Sequence, residues 1–105
     1  MVVGTLGFTG NSNKLSADDL QQLRDVAQLS RQNGGIIRVT AYSDPSGMGA
    51  TANRELANFN QALDRARAVA VALTQNGVSA RAVEIGASPA PPGQRGGTVE
   101  LSLEY

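Results

Sequence analysis

The sequence predicts an α+β domain of order βαβαββ, a two-layer sandwich with two helices packed on one face of a four-stranded mixed sheet. Three observations carry this. Thr98 to Tyr105 alternates strictly, with Val99, Leu101, Leu103 and Tyr105 on one face and Thr98, Glu100, Ser102 and Glu104 on the other. That is a strand with one face on a core and one in water. Leu56, Phe59, Leu63, Ala66, Ala70 and Leu73 step by three and four residues, the stripe of an amphipathic helix. Ser16 followed by Asp18 and Asp19 opens a second helical pattern, and Asn33-Gly34-Gly35 closes it.

Composition agrees with a single folded unit. The chain has 105 residues, 41% apolar and 17% charged, enough for one core without staples. We therefore take residues 1–105 as one domain, and expect it to be the C-terminal part of a larger exported protein. Formal net charge is zero, which argues against nucleic acid as a partner. Cysteine and histidine are both absent, which removes disulfides, thiolate metal sites and the commonest general base. No apolar run is long enough to span a bilayer, and no signal-peptide pattern opens the chain.

In chain order, Met1 to Phe8 reads as a first strand through Val2, Val3, Leu6 and Phe8, with Gly4 and Gly7 suiting an edge or a close backbone approach. Ser16 is the expected N-cap, with Leu15 and Leu20 spaced as a hydrophobic staple. Leu20, Leu23, Val26, Ala27 and Ser30 form the core stripe of the first helix. Ile36 to Tyr42 is β-branched and apolar, with Ile37, Val39 and Ala41 on one face, and ends in the turn Ser43-Asp44-Pro45-Ser46-Gly47. Met48 to Glu55 is a connector or a loose first helical turn. The second helix follows and ends at Asn76-Gly77. Arg81 to Gly86 reads as a third strand with Val83 and Ile85 inward, and Ala87 to Gly97, rich in proline and glycine, reads as a loop. No internal repeat is present.

Few residues could carry chemistry. Catalysis by Ser and Lys would rest on Lys14, the only lysine, and Asp64 is spaced to pair with Arg67 on the helix surface. Gly47-Met48-Gly49 follows a strand but lacks a phosphate-loop pattern. Asp44 and Arg65 remain. Spacing alone leaves two readings open: a turn cap with a solvated helix arginine, or a carboxylate and a guanidinium converging at a strand's carboxyl end, where open α/β sheets bind ligands. Such a pair would suit an amino-acid-like zwitterion, the arginine fork taking its carboxylate and the aspartate its ammonium.

Those residues resemble the OmpA-like C-terminal domain, the peptidoglycan-binding module also found in Pal lipoproteins and MotB-type stator proteins. The family strand ends in G-H-T-D or G-H-A-D, and here it reads A-Y-S-D (Ala41 to Asp44). The family helix follows N-x-x-L-S-x-x-R-A-x-x-V-x-x-x-L, and here Asn58 to Leu73 reads N-F-N-Q-A-L-D-R-A-R-A-V-A-V-A-L, with Gly77-Val78 beyond. L-G-F-T-G-N-S-N-K-L-S and V-E-I-G-A-S-P-A-P-P extend the likeness to nearly the whole chain.

The resemblance implies the same βαβαββ fold and non-covalent binding of the diaminopimelate of the peptidoglycan stem peptide, with Asp44 and Arg65 as ligand-binding residues. Tyr42, Ser43, Asn58 and Ala62 stand at the supporting positions. It implies no reaction, no cofactor and no metal. It also implies a periplasmic location, tethered to the outer membrane through a region outside this chain, with peptidoglycan as partner.

Four positions depart from the family pattern. Ala41-Tyr42 replaces G-H, and Gln61-Ala62 replaces L-S. The Asp-to-Arg spacing is longer, placing an insertion at Met48 to Arg54. Gly96-Gly97-Thr98 replaces N-R-R, leaving Arg95 nearby. The alternative reading is therefore a degenerate module that lacks wall binding and serves as a homodimerisation or envelope-protein interaction domain. Asp44→Ala and Arg65→Ala are expected to change stability by no more than about 1 kcal/mol, as surface changes do. Leu63→Ala is expected to cost about 2–5 kcal/mol as a core change.

Overall fold

A computed structural model describes residues 2–8, 14–43, 52–90 and 97–104. The elements are β1 (Val2–Gly7), α1 (Ala17–Asn33), β2 (Ile36–Ser43), α2 (Ala52–Gln75), a 3-10 turn (Ala80–Ala82), β3 (Val83–Pro89) and β4 (Thr98–Glu104). This is the βαβαββ order the sequence predicts. The strands lie in the order β1-β4-β2-β3, with β3 parallel to β2 and β4 antiparallel to both β1 and β2. The last strand in sequence thus takes a central place.

Alternation decides which face meets the helices. Ile37, Val39 and Ala41 of β2 and Val99, Leu101 and Leu103 of β4 are buried with Leu6 of β1. Leu23, Val26 and Ala27 of α1 and Ala66, Val69 and Leu73 of α2 complete that core. The opposite face carries Arg38, Thr40, Tyr42, Glu100, Ser102 and Glu104, none of them buried. There Arg38 pairs with Glu84 at 3.3 Å and with Glu104 at 3.2 Å, half-exposed bridges of small energetic weight.

Helix α1 starts as its sequence directs. The Asp19 backbone N–H donates to Ser16 Oγ at 3.1 Å, and the Ser16 N–H donates to Asp19 Oδ2 at 3.0 Å, a reciprocal capping box. Gly34, at φ 74°, ends it by donating its N–H to the Ser30 carbonyl at 2.8 Å. Leu20, expected in the core stripe, is exposed instead. Gly4 lies on edge strand β1, as expected, beside a register shift between Val2 and Gly4; what stands near it is the end of the flexible Gln22 side chain of α1, not backbone.

Helix α2 departs from the reading of its stripe. Its buried face is Ala62, Arg65, Ala66, Val69, Ala72 and Leu73. Leu56 is 58% exposed, Phe59 is 38% exposed, and Leu63 and Ala70 are only half-buried. Two physical reasons account for the rotation. Alanines at 62, 66 and 72 let the helix axis approach the sheet more closely than leucines would. The helix is also longer than its support: 24 residues span roughly 36 Å, whereas the 8 residues of β2 span about 26 Å. The first turns therefore overhang the sheet.

Strand β3 is also longer than predicted and begins later. Residues 80–82 form the 3-10 turn, and the strand continues through Pro89 into the stretch read as loop, because Ala87, Ser88 and Pro89 pair with Ala41, Tyr42 and Ser43. Proline is tolerated there because β3 is an edge strand. Ile85 is in register with Val39 but exposed, since it lies at the sheet margin. Residues 52–55, read as a connector or a loose first helical turn, are the first turn of α2. Tyr105 lies outside the described residues.

Candidate functional site

The site forms where β1 and β2 end together. The Phe8 N–H donates to the Gly97 carbonyl at 2.9 Å, and the Gly97 N–H donates to the Tyr42 carbonyl at 2.9 Å. Gly97, buried and at φ 77°, thereby ties the end of β1 to the end of β2 in a conformation that suits glycine. Ser43, the last residue of β2, is buried beside this junction.

Arg65 reaches the same end from α2. Its guanidinium carbon lies 5.3 Å from the centroid of the Phe8 ring, within cation–π range. The residue is only 2% exposed. A buried charge is costly unless its donors are satisfied, and among the described residues no buried side-chain nitrogen or oxygen lacks a hydrogen-bond partner. Arg65 is thus a buried cation whose donors are satisfied. Of the two readings left open, the solvated helix arginine is excluded, and the stability expectation that treated Arg65 as a surface residue is corrected: position 65 is on the buried face because α2 is rotated relative to its leucine stripe.

The other predicted residues divide between two faces. Ala62 is buried one turn before Arg65, and Asn58 is half-buried a turn further back. Tyr42 belongs to the opposite face of the sheet, where its hydroxyl donates to Glu100 Oε2 at 3.4 Å. Asp44 lies outside the described residues, as do Pro45, Ser46 and Gly47. Phe8 and Gly97 are the parts sequence reasoning missed as site elements. Phe8 was legible as a strand-end aromatic, but nothing in the spacing links it to Arg65.

Burial raises the Tyr42 hydroxyl above its ordinary pKa, and the Glu100 charge and hydrogen bond add to it. A raised phenol pKa in the fold means stability is fully present below about pH 10 and is lost as pH rises through the folded value. Tyr42→Phe is therefore expected to flatten the alkaline limb of a stability–pH profile above about pH 10. An unchanged limb would show that the fold does not raise the Tyr42 hydroxyl.

The family model described as the OmpA family matches residues 7–95. This chain belongs to the OmpA family. No curated protein matches it. Among solved structures, this OmpA-family domain is similar to the OmpA-like domain of FopA1 from Francisella tularensis (TM-score 0.81, 17% identity, 92% of this chain and 68% of that one). It is also similar to the peptidoglycan-associated lipoprotein from Burkholderia pseudomallei (TM-score 0.77, 20% identity, 95% and 89%). A third is the C-terminal domain of Helicobacter pylori MotB (TM-score 0.73, 16% identity, 98% and 85%). At these identities the likeness is one of fold. Among the described residues of the OmpA-family domain, no helix is long and apolar enough to cross a membrane, and no acidic cluster could hold a metal ion.

Proposed function

We propose that this domain binds peptidoglycan non-covalently, through the diaminopimelate of the stem peptide, and so anchors a longer exported protein to the cell wall from the periplasm. The observation that carries the reading is Arg65, a buried, ring-stacked guanidinium at the carboxyl end of β2, whose next residue in sequence is Asp44. Arg65 taking a carboxylate, with Asp44 next in sequence after β2 taking an ammonium, would match the two charges of an amino-acid zwitterion. Each charge-assisted bond contributes about 1.5–3 kcal/mol, enough for modest affinity that a polymer presenting many copies multiplies. Nothing in this arrangement calls for catalysis.

Because Arg65 is 2% exposed, a ligand carboxylate reaches it only when its surroundings move. Association is therefore expected to be slower than the typical range of about 10⁵–10⁷ M⁻¹s⁻¹. The test is titration of a diaminopimelate-containing stem peptide into the isotope-labelled domain. Saturating amide shifts at Ser43, Asp44, Asn58 and Arg65 are expected, and Asp44→Ala should weaken binding by about tenfold or more. Absence of shifts at millimolar peptide would sink the proposal.

The same burial favours a second reading, in which Arg65 serves the fold and the domain binds protein instead. Val71 and Ile85, exposed at the α2–β3 margin, border an apolar hollow of about 220 Å³ with Ala70, Thr74, Ala80 and Val83. Concentration-dependent sedimentation without peptide binding would favour that reading.

A further inference from the structure

The opposite end of the domain carries a cleft of a different character. Arg24, Gln28, Arg31 and Gln32 of α1, with Asn76 beyond α2, line an open groove of about 550 Å³. Arg24, Gln28 and Arg31 recur at i, i+4 and i+7 and share one helix face. No lining residue is acidic. Among the described residues neither Arg24 nor Arg31 forms an ion pair, whereas Arg38 pairs with Glu84 and Glu104 and Arg67 with Asp64.

Helix-end electrostatics explain only one of these arginines. Arg31 is in the last turn of α1, where a cation offsets the exposed carbonyls. Its guanidinium also lies against the turn after α2, with three atoms 3.5 Å from where a Cβ on Gly77 would stand. Arg24 is mid-helix, beyond the last turn to which that effect is confined. Two guanidinium groups therefore face one cleft with no carboxylate to offset them. The neutral lining is amphoteric: Asn76 donates its amide to the Ala72 carbonyl at 2.7 Å, which leaves its oxygen as an acceptor, and Gln28 and Gln32 bring donors and acceptors together.

We propose that this cleft binds an acidic saccharide, a sugar phosphate or a uronic acid, with Arg24 and Arg31 holding the anionic group and the three amides meeting hydroxyls. Guanidinium forks match both phosphate and carboxylate. The volume falls within the range of about 300–1,000 Å³ usual for small-molecule sites, which is ample for a sugar ring and far more than a bare ion needs. The cleft shares no lining residue with the Arg65 end, whose parts are Phe8, Tyr42, Ser43, Gly97 and Arg65. Binding here is thus independent of the wall-binding reading.

The test uses the full chain, isotope-labelled, titrated in parallel with glucose 1-phosphate, glucuronic acid, glucose and inorganic phosphate. The expected result is saturable shifts of the Gln28, Gln32 and Asn76 side-chain amides with either acidic sugar, and none with glucose. Inorganic phosphate should bind about tenfold more weakly because it forgoes the amide contacts. Arg24→Gln and Arg31→Gln should each lower affinity by about tenfold, with amide shifts elsewhere unchanged. Because Arg24 is exposed, its variant tests the site without threatening the fold. No shifts at about 20 mM sugar, a concentration above any useful affinity, would overturn the proposal. So would inorganic phosphate binding as tightly as the sugars, or binding that survives in the double variant.

Discussion

Arg65→Ala is expected both to abolish stem-peptide binding and to destabilise the domain, the larger effect being on binding. The side chain is buried to 2% exposure and its guanidinium stacks on Phe8. Truncation removes a desolvated cation–π contact of up to about 2 kcal/mol, removes the aliphatic stem from the α2–sheet interface, and opens a hole beside Ala62 and Ala66. A loss of about 2–4 kcal/mol follows, more than the sequence reading of a surface arginine allowed. Loss of binding alone would not separate a ligand role from unfolding, so Arg65→Lys is the companion. Lysine keeps a cation over the ring but lacks the planar fork. It is expected to restore at least half of the stability lost in the alanine variant while leaving peptide binding at least about tenfold weaker than wild type. Urea titration and peptide titration on the same samples check both. Wild-type affinity in Arg65→Lys would remove the bidentate role and leave Arg65 to the fold.

Leu101→Ala should bring the largest loss of stability. Leu101 is fully buried in β4, which pairs with β1 on one side and β2 on the other. Its removal leaves a cavity that flanking strands cannot collapse without shifting their ladders, so a cost of about 2–5 kcal/mol is expected. For a domain of this size that lowers the midpoint of thermal unfolding by roughly 10–30 °C. Leu63→Ala, expected from sequence to act as a core change, should cost less, since Leu63 is only half-buried. Calorimetry of both variants decides the order, and equal losses would mean α2 seats against the sheet through its leucine stripe after all.

The chemistry on the open face and at the sheet end was unequally legible. Ser16 as N-cap followed from its identity and position, because a cap is satisfied by residues three apart. The strict alternation of Val99, Leu101 and Leu103 announced a one-sided strand. The contact of Arg65 with Phe8 could not be read, since it joins residues 57 positions apart through the way β1 and α2 meet at one end of the sheet. The face on which Tyr42 stands was likewise implicit in the alternation of β2, but only the Glu100 partner across β4 gives it a consequence.

By itself, the sequence determined the number, kind and order of the elements, the cap and stops of α1, and the inward faces of β2 and β4. Those depend on periodicity and on neighbours within one or two turns, so short-range sterics and hydrogen bonding suffice to specify them. Tertiary structure decided that β4 lies inside the sheet, that β3 extends through Pro89, and that α2 buries its alanines and Arg65 in place of Leu56 and Phe59. Each of these turns on what a distant segment covers. A helix longer than its sheet must leave some apolar residues over water, and small side chains, which permit the closest approach, take the buried face.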